Sequence, residues 1–255
     1  MKYFIDTEFL EGTQDKIMLG IKYGETKPTI DLISIGIISE DGREYYEVSK
    51  DFNLKEAWNR YDIIKGDSTM VNSIGDNQYK VKNYWIRENV LKPIFLELAV
   101  CNNNEFVGYL MTYKLLKKLI NKYGKTNKQI ADEVKDFCLD NIQVYKSPDG
   151  KYIGGIDPYK GTPEFYAYYA DYDWVVFCWL FGTMNELPTG FPNYCIDLKQ
   201  MLDEKQEKRF GLTMFKGNLA NDIKKLPNYP KQTNEHNALS DAKWNFELYK
   251  FLQKL

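Results

Sequence analysis

The sequence predicts an α/β fold: a mixed sheet, part antiparallel hairpin and part parallel strands, flanked by helices and carrying surface insertions. Three features predict it. The chain opens on an apolar strand, KYFIDTEF, at residues 2–9. Two further strand-like runs, DLISIGIIS and REYYEVS, flank Glu40-Asp41-Gly42, where Asp-Gly signals a tight hairpin. From residue 164 onward short apolar strands alternate with helical segments, as joined parallel strands require.

Each element has its own signal. Residues 2–9 read as a buried strand, followed by an excursion, GTQDKIMLGIKYGETKPT, rich in Gly, Lys and Pro. Residues 31–39 and 43–49 form the hairpin, 53–59 a short helix, and 60–83 a polar, turn-rich insertion. Residues 84–99 predict a helix broken at Pro93, whose ring cannot sit in a regular helix interior. Over 109–123, Leu115, Leu116, Leu119, Ile120 and Tyr123 line one side and Lys114, Lys117, Lys118, Lys122 and Lys125 the other. Gly124 stops that helix, and Asn127 is placed to cap the next, 128–140. After the Gly/Pro-rich stretch 146–163 come a strand at 164–170 and an apolar helix at 173–181 closed by Gly182. A strand near 194–197, a helix near 197–205, a basic loop region 206–235 and a last helix 238–254 complete the order.

Composition narrows the function. The chain has 255 residues and a net charge of −2, which argues against gripping long nucleic acid by general electrostatics. An enzyme that holds only the last few nucleotides is compatible with that charge, because bound cations supply the positive field. Cys101, Cys138, Cys178 and Cys195 show no C-x-x-C spacing, and Cys178 reads as a buried thiol. The opening strand leaves no signal peptide and no apolar run is long enough to span a bilayer, so a soluble, reduced, cytoplasmic protein without a membrane partner is expected.

Five residues carry the chemistry. Asp6 and Glu8 alternate on a strand and therefore project from one face, while Ile5 and Thr7 point away. Two carboxylates buried together repel, and oxygen-seeking Mg²⁺ or Mn²⁺ would relieve the cost. Asp173 follows a strand and starts a helix, where open α/β sheets place ligand-binding groups; Asp171 competes for that role. His236, the single histidine, precedes Asp241 in HNALSDA, and Ala238 and Ala242 leave room for the last helix to approach the sheet. Taken singly, Asp-x-Glu can end a strand, Asp173 can cap a helix and a lone histidine can simply pack. Their joint occurrence, in this chain order and on these element types, points to metal-assisted hydrolysis of a phosphodiester. Asp6, Glu8, Asp173 and Asp241 would hold two cations about 3.5–4 Å apart, with His236 as general base toward water. Since those residues span both ends and the middle, residues 1–255 are expected to form one domain.

At these residues the sequence resembles the DEDDh branch of the 3′→5′ exonucleases, which have a ribonuclease H-like fold. More closely, it looks like ribonuclease AS, the polyadenylate-specific exoribonucleases. The matching strings are YFIDTEF, LISIGIISEDGREYYEVS, WIRENVLKP, AYYADYDWVVFCWL and HNALSDA. The resemblance carries the four acidic ligands and the histidine onto Asp6, Glu8, Asp173, Asp241 and His236, and selects Asp173 over Asp171. It implies two Mg²⁺ or Mn²⁺ ions, release of nucleoside monophosphates from an RNA 3′ end, and a homodimer. Insertions near 11–28, 60–83, 100–124 and 146–163 set this chain apart and bear on adenylate preference and dimerisation.

For substrate contact, Thr7, Phe9 and Tyr172 are the candidates, with Phe9 beside Glu8 best placed against a terminal base. Tyr166, Tyr168 and Tyr169 offer stacking faces but suit a core equally, and the lysine face of 114–125 reads first as solvated. The expected substrate is a single-stranded RNA 3′ end. The alternatives are a proofreading-type 3′→5′ DNA exonuclease and a non-catalytic nucleic-acid-binding protein of the same fold.

Overall fold

The structure, a computed structural model, describes residues 1–65, 80–101, 108, 110–139, 142–146, 152–156, 162–210 and 222–255. Strand β1 (Lys2–Gly12) leads into a hairpin of β2 (Asp15–Met18) and β3 (Ile21–Glu25). Next come β4 (Thr29–Ser39), β5 (Glu44–Val48), helix α1 (Leu54–Asn59), and the paired strands β6 (Asp62–Lys65) and β7 (Lys80–Asn83). Helices α2 (Lys92–Cys101), α3 (Tyr113–Tyr123) and α4 (Asn127–Leu139) precede a further hairpin, β8 (Ile142–Lys146) and β9 (Tyr152–Ile156). The chain then runs β10 (Glu164–Ala167), α5 (Ala170–Leu180), β11 (Ile196–Asp197), α6 (Leu198–Phe210) and α7 (Ala238–Leu252).

The central sheet has five strands in the order β11-β10-β1-β4-β5. β1 pairs antiparallel with β4 and parallel with β10, so the mixed α/β architecture expected of a ribonuclease H-like fold is present. Alternation along β1 splits the core. Tyr3 and Ile5 pack with Ile130 and Val134 of α4 and Phe177 of α5, while Phe4 packs with Leu198 of α6 and Leu248 of α7. Leu10 and Ile33 join a further cluster with Val90, Leu91 and Phe95 before and within α2 and Leu116 and Leu119 of α3. The lysine-bearing helix α3 is therefore anchored by its apolar stripe, as its periodicity predicts. Lys125, just past its end, is paired with Glu47 and Glu133.

Several local expectations are corrected. The break assigned to Pro93 is a wider turn over Arg87–Leu91, in which the Lys92 N–H reaches back to Arg87 O. Proline lacks an N–H, and a wide turn absorbs the missing bond without ending the helix. Asn127 is already helical. Thr126 caps α4 instead: its hydroxyl accepts from the Gln129 N–H at 3.2 Å, and Gln129 Oε1 accepts from the Thr126 N–H at 3.0 Å. The strand of 164–170 ends at Ala167, because Tyr169 adopts a left-handed conformation (φ 58°) that starts α5 early. α6 continues to Phe210, beyond the expected end near 205. The excursions at 11–28, 60–83 and 146–163 are not plain loops but contain two-stranded hairpins; residues 66–79, 102–107, 147–151, 157–161 and 211–221 lie outside the described residues.

Candidate active site

β1 supplies the first carboxylates because its pleat alternates. Asp6 and Glu8 turn to the α7 side and Thr7 to the α5 side. The β1–β4 register shifts between Glu8 and Phe9: Glu8 faces Ser34 and Phe9 faces Leu32, leaving Ile33 as an extra residue. Such a bulge bends the strand beside the acids.

β10 pairs with β1 only as far as Phe4, so among the described residues the edge of β1 at Thr7 has no neighbouring strand on that side. Asp173, in the first turn of α5, fills the gap. Its Oδ1 accepts from the Thr7 N–H at 2.8 Å and from Thr7 Oγ1 at 2.6 Å. Asp173 is thus a buried first-turn residue rather than an N-cap, while Asp171 in the same turn is exposed. Asp197 holds both neighbouring helices by accepting from the Ala170 N–H at 3.3 Å and the Lys199 N–H at 2.6 Å.

α7 delivers the remaining pair. Asn237 caps it by accepting from the Ser240 N–H at 3.0 Å, and Ala238 and Ala242 are fully buried against the sheet. The approach is closer than the two alanines alone explain. Gly36 of β4, directly opposite Asp6, has no room for a side chain: a Cβ there would stand 2.3 Å from the Ala238 carbonyl. Asn245 Nδ2 donates to Ile5 O at 2.9 Å and ties the middle of α7 to β1. Asp241 accepts from Gln232 Nε2 at 2.6 Å and from the His236 N–H at 2.8 Å. His236 has a left-handed backbone, φ 66°, and its ring meets Trp85 edge-to-face with centroids 4.7 Å apart.

The result is a cluster. Asp6, Glu8 and Asp241 each offer a carboxylate oxygen within 4.8 Å of the others. Asp173 stands outside that triple but adds its charge to Asp6 and Glu8. Burial raises the affinity of Asp6 for its proton well above the usual carboxylate range, and the charges of Asp173, Glu8 and Asp241 raise it further. Burial also raises Glu8, helped by Asp241 and Asp173. For Asp173 burial outweighs the opposing hydrogen bonds from Thr7, and for Asp241 it outweighs those from Gln232 and His236. Among the described residues no Lys or Arg forms an ion pair with any of the four acids. A set of oxygen donors without soft ligands fits Mg²⁺ or Mn²⁺ and does not fit a zinc site of Cys and His.

Substrate-side candidates divide. Thr7 is buried with its hydroxyl directed to Asp173. Phe9 stacks on Tyr172 at 5.7 Å, and the Tyr172 hydroxyl donates to Glu11 at 3.1 Å. Tyr166 belongs to the core, whereas Tyr169 is 62% exposed. Phe9, Arg60, Tyr61, Asn83, Trp85 and Ile86 line a cleft of about 270 Å³, in which Trp85 is the residue that meets His236. Trp85, Gln232, Gly36 and Glu97, which accepts from Asn237 Nδ2 at 3.3 Å, were not among the residues the sequence singled out. Gly36 alone carried a signal, because a glycine inside an apolar strand marks a close approach.

No protein-family model matches this chain. It is 25% identical over 205 residues to a 3′-5′ exoribonuclease of Mycobacterium tuberculosis strain CDC 1551 / Oshkosh, covering 80% of this chain and 76% of that protein. The same figures hold for a 3′-5′ exoribonuclease of strain ATCC 25618 / H37Rv. No helix among the described residues is long and apolar enough to cross a membrane.

Proposed function

We propose that this protein is a 3′→5′ exoribonuclease of the DEDDh type, acting on single-stranded RNA ends and related to ribonuclease AS. The reading rests on one observation above all: three carboxylates from β1 and α7 meet within 4.8 Å, and the lone histidine is bonded through its backbone to one of them. The similarity to proteins named 3′-5′ exoribonuclease supports the same reaction.

Asp6, Glu8, Asp241 and Asp173 would hold two Mg²⁺ or Mn²⁺ ions. Such a pair, when bound, supplies charge that favours the attacking water and the departing 3′-oxygen. His236 accepts a proton from that water as its oxygen bonds to phosphorus. The bond from phosphorus to the 3′-oxygen breaks and that oxygen takes a proton from solvent, leaving a shortened strand with a 3′-hydroxyl and a nucleoside 5′-monophosphate. Thr7 holds Asp173 in place, and Gln232 and the His236 N–H hold Asp241. Adenylate preference and a homodimer are parts of the proposal carried by the resemblance.

Matched 5′-labelled RNA and DNA oligonucleotides, incubated with Mg²⁺ or EDTA, test it. A ladder of shortened RNA that needs Mg²⁺ is expected. Shortening of DNA alone would assign a proofreading-type nuclease, and no shortening of either would leave a binding protein.

A further inference from the structure

We infer that Trp85 is a positioning residue that couples a nucleobase bound in the neighbouring cleft to the orientation of the His236 imidazole. This inference rests on the nuclease reading of the site.

His236 has little else to set its ring. Its backbone is tied to Asp241, but among the described residues no hydrogen bond reaches either ring nitrogen. A side chain on a left-handed residue can still rotate about its own bonds, so a base that takes a proton from one direction needs a steric partner. Trp85 is that partner, edge-to-face at 4.7 Å and 73°. It is also 40% exposed and walls the cleft that begins at Phe9, the residue after Glu8.

The cleft suits a base better than a phosphate. Phe9, Tyr61 and Trp85 contribute aromatic surface, and stacking on such faces tolerates any base. Its charged members oppose a free phosphate. Glu11 and Asp62 are acidic, and the Arg60 guanidinium is already engaged by Glu11 O, Thr13 O and Glu56. A base settling against Trp85 would fix the indole, and the indole would fix the imidazole. Occupied cleft and aligned base then arise together.

Because the chain has one histidine, isotope-labelled histidine gives a single imidazole signal in NMR. With Mg²⁺ present, adenosine 5′-monophosphate should move that signal more than ribose 5-phosphate, which lacks the base. In Trp85→Ala the two should act alike, and Trp85→Phe should restore the difference. On 5′-labelled RNA, Trp85→Ala should lower kcat about tenfold or more, within the ~10²–10⁴ that a positioned base supplies, with a smaller change in KM. Trp85→Phe should recover most of kcat. A Trp85→Ala protein that responds to adenosine 5′-monophosphate as the wild type does, or that raises KM at constant kcat, overturns the inference. If the wild type shortens no RNA, the nuclease reading falls, and the NMR comparison still decides whether Trp85 links cleft and histidine.

Discussion

The His236 backbone N–H donates to Asp241 Oδ2 at 2.8 Å, so the proposed general base and one proposed metal ligand form a single unit. The bond spans the start of α7, where His236 has a left-handed conformation. A carboxylate that orients the loop carrying the base has two jobs.

The two jobs are separable. His236→Ala should lower RNA hydrolysis by about 10²–10⁴, the usual worth of a positioned base, while Mn²⁺ still raises the melting temperature. Asp241→Ala should abolish hydrolysis and blunt the Mn²⁺ shift as well. An undiminished shift in Asp241→Ala, read by scanning calorimetry, would remove Asp241 from the ion site.

Metal-free stability should depend on pH with a definite sign. Burial and mutual repulsion raise the acids, Asp173 to about 7 and Glu8 to about 8. In the unfolded chain these groups titrate near ~4. Between those values the folded state binds more protons, so its stability is fully present below ~4 and declines as pH rises toward 8. In EDTA, Tm should therefore fall from pH 5 to pH 8, and Mn²⁺ should flatten the decline by replacing the protons. A metal-free Tm that climbs over that range would show the acids to be charged and otherwise stabilised.

Gly36→Ala tests the approach of α7. The added methyl would meet the Ala238 carbonyl at 2.3 Å, so the helix must move and carry Asp241 with it. Overpacking of this kind costs about 1–3 kcal/mol, with Tm falling roughly 2–4 °C for each kcal/mol. Hydrolysis should drop more than stability does. Gly24→Ala on β3, where a Cβ meets nothing within 4 Å, serves as the silent control.

Thr7 separates positioning from direct contact. Thr7→Val removes the 2.6 Å hydroxyl bond to Asp173 and keeps the backbone one, whereas Thr7→Ser keeps both. A lost partner of this kind typically costs ~10–100-fold in metal affinity or activity. Titration with Mn²⁺ should show weaker binding in Thr7→Val and near-native binding in Thr7→Ser. Equal affinities would leave Asp173 independent of Thr7.

Much of this arrangement was legible in the chain, and its misses share a cause. The strand period placed Asp6 and Glu8 on one face and Thr7 on the other. The small residues Ala238 and Ala242 announced a tight helix contact, but Gly36, its counterpart on β4, went unread. At α4 and α5 the boundaries slipped. Thr126 and Asn127 are both good caps, and a left-handed tyrosine has no sequence signature.

The sequence by itself determined the alternation of acids on β1, the hairpin after it and the residue types available for chemistry, because periods of two and 3.6 are local properties of the backbone. Only the tertiary structure decided that Asp173 bonds Thr7 where β10 stops, that Asp241 reaches Asp6 across Gly36, and that Trp85 meets His236. Those contacts join residues far apart in the chain. Their distances follow from where strands end and how closely helices pack, which no local pattern encodes.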